Sequence, residues 1–107
     1  MTDDPALLDG LDDVLLDDAP PAAPIDVPRR LEAILLVVDE PQSLVALAAA
    51  VGAPVPAVRE AVQSLVADYD GELGGPRRGF ELREVGGGWR LYVRAEHDDV
   101  VSEFVNS

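Results

Sequence analysis

Three features predict an α+β fold. A helical apolar pattern repeats three times, a Gly/Pro break separates the second and third repeats, and strand periodicity then takes over around three glycines. In that order they describe a winged helix-turn-helix: a three-helix bundle, a two-stranded β-wing and a short C-terminal helix. The break is Val51-Gly52-Ala53-Pro54. Glycine can end a helix in the left-handed conformation, and Pro54 forbids simple continuation. Such a motif often lays its second helix on DNA, so the question is whether this one reads DNA, protein or nothing.

The domain is expected over residues 28–107. Asp26 can cap the first helix, and Pro28 suits a first turn, where a missing N–H costs little. RRLEAILLVVDE follows, with Leu31, Ile34, Leu35 and Val38 on one face and Glu40-Pro41 as its end. Leu36 and Val37 lie off that stripe, so this helix is apolar nearly all round at its C-terminal half. A helix of that kind is usually buried on more than one side, and in a domain this small another subunit can supply the second side.

Gln42-Ser43-Leu44 reads as a strand stub or a cap, with Ser43 the N-cap of the second helix. That helix has Leu44, Leu47, Ala48 and Val51 on one face. The third starts near Val55 or Pro56 and carries Val58, Ala61, Val62, Leu65, Val66 and Tyr69 at helical spacing, until Asp70-Gly71 breaks it. Next, FELREV alternates Phe80 and Leu82 against Glu81 and Arg83. WRLYVRA alternates Trp89, Leu91 and Val93 against Arg90, Tyr92 and Arg94. Gly86-Gly87-Gly88 is the hairpin turn between them. HDDVVSEFVNS reads as a last short helix, capped by Asp98 or Asp99.

Composition narrows the function. The chain has 107 residues, no Cys and a net charge of -13, and all eight of its basic residues are Arg. Residues 1–27 hold eight Asp and no base, with four Pro, and read as an acidic disordered tail. Within it LLDGLDDVLL places Leu7/Leu8, Leu11 and Val14/Leu15 at about helical spacing. That pattern suits either a solvated tail or an acidic motif that folds on a partner. Residues 28–107 keep 13 acids against 8 bases, a net -5. A phosphate backbone is held by cationic contacts, so this balance argues against nucleic acid. No apolar run approaches the roughly 20 residues that span a bilayer, and no signal peptide is visible. The expected location is cytoplasmic.

Chemistry is sparse. His97 has no second His and no Cys to complete a metal site. The pairs Asp12/Asp13 and Asp98/Asp99 read as tail charge and caps, since a catalytic dyad needs burial to separate its two pKa values. Gly74-Gly75-Pro76-Arg77-Arg78-Gly79 lacks the Lys-Ser/Thr of a phosphate loop. No catalytic, cofactor-binding or metal-binding residues are expected, and the chain reads as a non-enzyme. Arg77, Arg78, Arg83, Arg90 and Arg94 lie on or beside the wing, where they can touch phosphate. They can equally be a solvent face paired with Glu81 and Glu84 across the hairpin. The third helix offers Arg59 as its only base and begins Val-Pro-Ala-Val, a poor start for reading bases.

The run LEAILLVVDEPQSLVALAAAVGAPVPAVREAVQSLVADYD, followed by RGFELREVGGGWRLYVRAEHDDVV, resembles the N-terminal domain of bacterial segregation and condensation protein B. The Leu-Glu-Ala opening, Glu40-Pro41 before the stub, the Gly52 turn and Phe80-Glu81-Leu82-Arg83-Glu84-Val85 before a Gly turn carry the likeness, over residues 31 to about 105. The resemblance implies two tandem winged-helix domains, of which this chain resembles the first. It also implies no enzymatic activity and no cofactor. It implies a homodimer, notably through N-terminal domains, that binds the kleisin subunit (segregation and condensation protein A) and through it the SMC ATPase in chromosome condensation and segregation. The acidic tail departs from the family pattern. Leu36, Val37 and Tyr92 are the expected protein-interface residues, with the competing reading a DNA-binding transcriptional regulator on the same fold.

Overall fold

Asp26 opens the first helix: its carboxylate accepts a hydrogen bond from the Arg29 N–H at 3.1 Å, with proline in the first turn behind it. The computed structural model describes residues 26–107. Three helices come first, α1 (Val27–Val37), α2 (Leu44–Val51) and α3 (Val55–Tyr69). Strands β1 (Phe80–Val85) and β2 (Gly88–Val93) form the wing, and a 3-10 turn at Ala95–His97 leads to α4 (Asp98–Asn106).

Each of the first three helices buries the face its spacing selects. Leu31 and Leu35 from α1, Leu47, Ala48 and Val51 from α2, and Val58, Ala61, Val62, Leu65 and Tyr69 from α3 close around Leu82 of β1. A fully buried Leu or Val contributes on the order of 1.5–3 kcal/mol, so these side chains set the fold. Ser43 caps α2 through a bond from Ala46 N at 3.1 Å. Gly52 ends it in the left-handed conformation at φ 74°, and α3 departs at 103° to α2. That angle lies within the range of a helix-turn-helix.

The wing is one antiparallel hairpin with the register Phe80↔Val93, Glu81↔Tyr92, Leu82↔Leu91, Arg83↔Arg90, Glu84↔Trp89 and Val85↔Gly88. Gly86 and Gly87 both have positive φ, as a two-residue type I′ turn requires. Gln42 is the strand stub: it exchanges hydrogen bonds of 2.9 and 2.7 Å with Trp89. Gly88 makes that approach possible, because a Cβ there would lie 2.8 Å from Pro41 Cβ.

Four details differ from the sequence reading. Helix α1 ends at Val37, with Val38 already extended, because the chain must turn to deliver Gln42 to β2. The hairpin turn is Gly86-Gly87, and Gly88 belongs to the strand. Neither Asp98 nor Asp99 is the cap of α4: His97 holds that position without a side-chain bond, while Asp99 accepts from the adjacent Val100 N–H at 2.8 Å. Of the expected arginine–carboxylate pairs across the hairpin only a diagonal one forms among the described residues, Arg94 with Glu81 at 3.9 Å, while Arg83 stands opposite Arg90 and Glu84 opposite Trp89. The readings made on residues 1–25 lie outside the described residues.

Candidate functional site

The C-terminal half of α1 and the β2 strand enclose a groove of about 290 Å³. Leu35, Leu36 and Val38 line it from the helix side, and Phe80, Arg90, Leu91, Tyr92 and Val93 from the wing. The groove exists because the stub pairs with β2 only at Trp89. By antiparallel alternation the main chain of Leu91 and Val93 points to the same edge as that of Trp89, beyond the reach of Gln42.

Two of the three expected contact residues meet here. Leu36 is 70% exposed and Tyr92 is half-buried, and both line the groove. Val37 does not line it; it stands 81% exposed beside it. The C-terminal half of α1 therefore presents Leu36 and Val37 with no cover from the described part of the chain. Sequence reasoning missed Val38, Phe80 and Arg90 as groove residues. Phe80 and Arg90 reach the groove through the hairpin register, which the run of three glycines leaves open.

The arginines divide into structural and free groups. Arg94 is 3% exposed. Its guanidinium donates to Tyr69 O at 2.9 Å and Arg78 O at 2.7 Å, and it pairs with Asp70 at 2.6 Å. Arg78 donates to Asp68 O at 2.8 Å and pairs with the Asp68 carboxylate. Arg77 bonds to Glu96 at 3.2 Å; that bond holds the guanidinium above its ordinary pKa and the carboxyl below its own. Arg94 and Arg78 lock the root of the wing, while Arg77 lies in an exposed surface pair that adds little. Arg83 and Arg90 remain, each with its guanidinium carbon 4.9 Å from the centre of the Tyr92 ring.

Helix α3 presents Arg59, Glu60, Gln63 and Ser64 to solvent, a nearly neutral surface. Its first turn has neither a side-chain cap nor a charge. Among the described residues no group of three His, Asp or Glu could hold a metal ion. His97 lies on the surface, 3.7 Å from its neighbour Glu96. No described helix alone is long and apolar enough to cross a membrane.

A winged-helix domain with Arg78 and Arg94 tied down at the wing root, a weakly charged α3 and an apolar groove at the α1–wing junction has the form of a protein-binding module. The profile of the family "Segregation and condensation complex subunit ScpB" matches residues 29–107. The chain belongs to the ScpB family. Among solved structures, ScpB from Mycobacterium tuberculosis is 36% identical with a TM-score of 0.68, over 75% of this chain and 48% of that one. A dimer of an ScpB N-terminal domain complexed with an ScpA peptide is 27% identical with a TM-score of 0.64, over 72% of this chain and 91% of that one. A conserved hypothetical protein from Chlorobium tepidum is 30% identical with a TM-score of 0.59, over 73% and 47%. The chain thus spans about half the length of the first and third. A comparison with curated proteins gave no match.

Proposed function

We propose that this chain acts as the N-terminal winged-helix part of a cytoplasmic SMC–kleisin complex in chromosome segregation and condensation. It forms a homodimer, binds the kleisin ScpA and has no enzymatic activity. Residues 28–107 correspond to that domain. The observation that carries the reading is the likeness, over nearly all the described residues, to an ScpB N-terminal domain seen as a dimer with an ScpA peptide. The electrostatics agree: a domain of net -5 with its wing-root arginines consumed is poorly suited to phosphate.

The contact surface is placed at Leu36, Val37 and Tyr92. Leu36 and Val37 are large apolar side chains left uncovered on a rigid helix, and Tyr92 is an aromatic anchor at the rim of the adjacent groove. Val37→Asp is the direct test, because 81% exposure lets the charge be solvated and the monomer fold normally. Sedimentation should show dimer dissociation raised tenfold or more, and a pull-down should show weaker capture of a kleisin peptide. An unchanged dimer with unchanged kleisin binding would refute the placement.

A further inference from the structure

Arg83 and Arg90 stand directly opposite each other on the hairpin. Like charges in that position oppose strand pairing. The Tyr92 ring offsets part of the repulsion, but among the described residues neither guanidinium has a carboxylate within ion-pair distance. Buried Arg90 Nε likewise finds no acceptor among them. The groove beside this pair is apolar, with Leu35, Leu36, Leu91 and Phe80 in its walls. An occupant that fits it carries apolar side chains interleaved with carboxylates.

The chain itself carries such a segment. Residues 7–18 read LLDGLDDVLLDD, with six apolar side chains and Gly10 interleaved with five Asp, and no base. We propose that this segment docks in the α1–wing groove, its leucines against Leu36 and Phe80 and its aspartates toward Arg83 and Arg90. Reach permits it. Helix α1 has 11 residues and is about 16 Å long, while the eight residues from Asp18 to Asp26 extend to roughly 28 Å. A tether of that length gives an effective concentration on the order of millimolar, so weak intrinsic affinity suffices. Docking would cover Leu36 and Tyr92 and compete with the partner for them; that consequence, unlike the docking, rests on the function proposed above.

The test compares backbone NMR spectra of the full chain with those of a chain starting at Asp26. Every core side chain lies between Leu31 and Leu82, so that deletion removes none of them. The amides of Leu91, Tyr92 and Val93 should shift on deletion, and a synthetic peptide of residues 1–25 should restore them. Arg83→Glu on the exposed side of the wing, or 0.5 M NaCl, should weaken the peptide at least tenfold. Leu11→Asp in the full chain should reproduce the deletion spectrum. Identical spectra with and without residues 1–25 would overturn the proposal, as would shifts that scale with protein concentration (a second copy in the groove) or ignore Arg83→Glu. Dimerisation and kleisin capture by the chain starting at Asp26 are read separately, so failure here leaves the proposed function standing.

Discussion

Arg94 shows how a surface-type residue becomes structural. Two main-chain carbonyls and the Asp70 carboxylate take its donors, with Glu81 a looser neighbour at 3.9 Å. A buried charge held this way is costly to strip, because truncation leaves Asp70 and two carbonyls without their partner. Arg94→Ala should lower unfolding free energy by about 3–5 kcal/mol in urea titration. A loss under 1 kcal/mol would mean that the network contributes little. Tyr69 makes a second prediction. Burial first, and then the hydrogen bond to Glu32 at 2.9 Å, push its hydroxyl above the ordinary phenol range. The folded state therefore holds this proton more tightly than the unfolded chain does. Its stabilising effect is complete below the unfolded value near pH 10 and is lost as pH rises toward the higher folded value. Stability should fall by about 1.4 kcal/mol per pH unit in that window through this group alone. Tyr69→Phe should flatten the alkaline limb by that slope relative to the unaltered chain.

At the scale of elements, α1 to α3 were legible because each meets the core along one stripe. Val58, Ala61, Val62, Leu65 and Tyr69 all reach the core at the positions their spacing selects. Caps at Asp26, Ser43 and Gly52 follow from local chemistry and needed no tertiary information. The wing was legible as a hairpin but not in its pairing. Three consecutive glycines leave open which two form the turn, and shifting the turn by one residue changes every cross-strand partner. The true register follows from a contact remote in sequence, Gly88 pressed under Pro41. The groove was half legible: Leu36 announced itself as an apolar residue off the stripe, whereas Phe80 and Arg90 join it only through that register. Gly88→Ala tests the point. Its Cβ would approach Pro41 Cβ to 2.8 Å and the Pro41 carbonyl carbon to 2.9 Å, so either Gln42 leaves Trp89 or the hairpin shifts. A loss of about 1–3 kcal/mol is expected, with faster amide exchange at Gln42 and Trp89. Full protection at both amides would contradict it.

For the whole molecule, charge is distributed by role. Bases at the root of the wing are spent on the chain's own carbonyls and carboxylates, while Arg83 and Arg90 keep their charge on the outer face. That division was not legible, because strand alternation alone sets Arg94 and Arg90 on the same side as Tyr92. What separates them is the neighbourhood: Arg94 lies where the end of α3 and the loop before β1 converge. The burial of Arg94 has a mechanical corollary. One guanidinium grips the last residue of α3, the residue after it and the loop entering β1, while its own backbone N–H bonds to Gly79 O at 3.0 Å at the close of the hairpin. With Arg78 on Asp68 and Phe80 edge-on to the Tyr69 ring beside it, the end of the helix and the root of the wing are riveted together and must tilt as one lever. A pull applied to the tip at Gly86 is carried to the base of α3 before the hairpin can swing on its own.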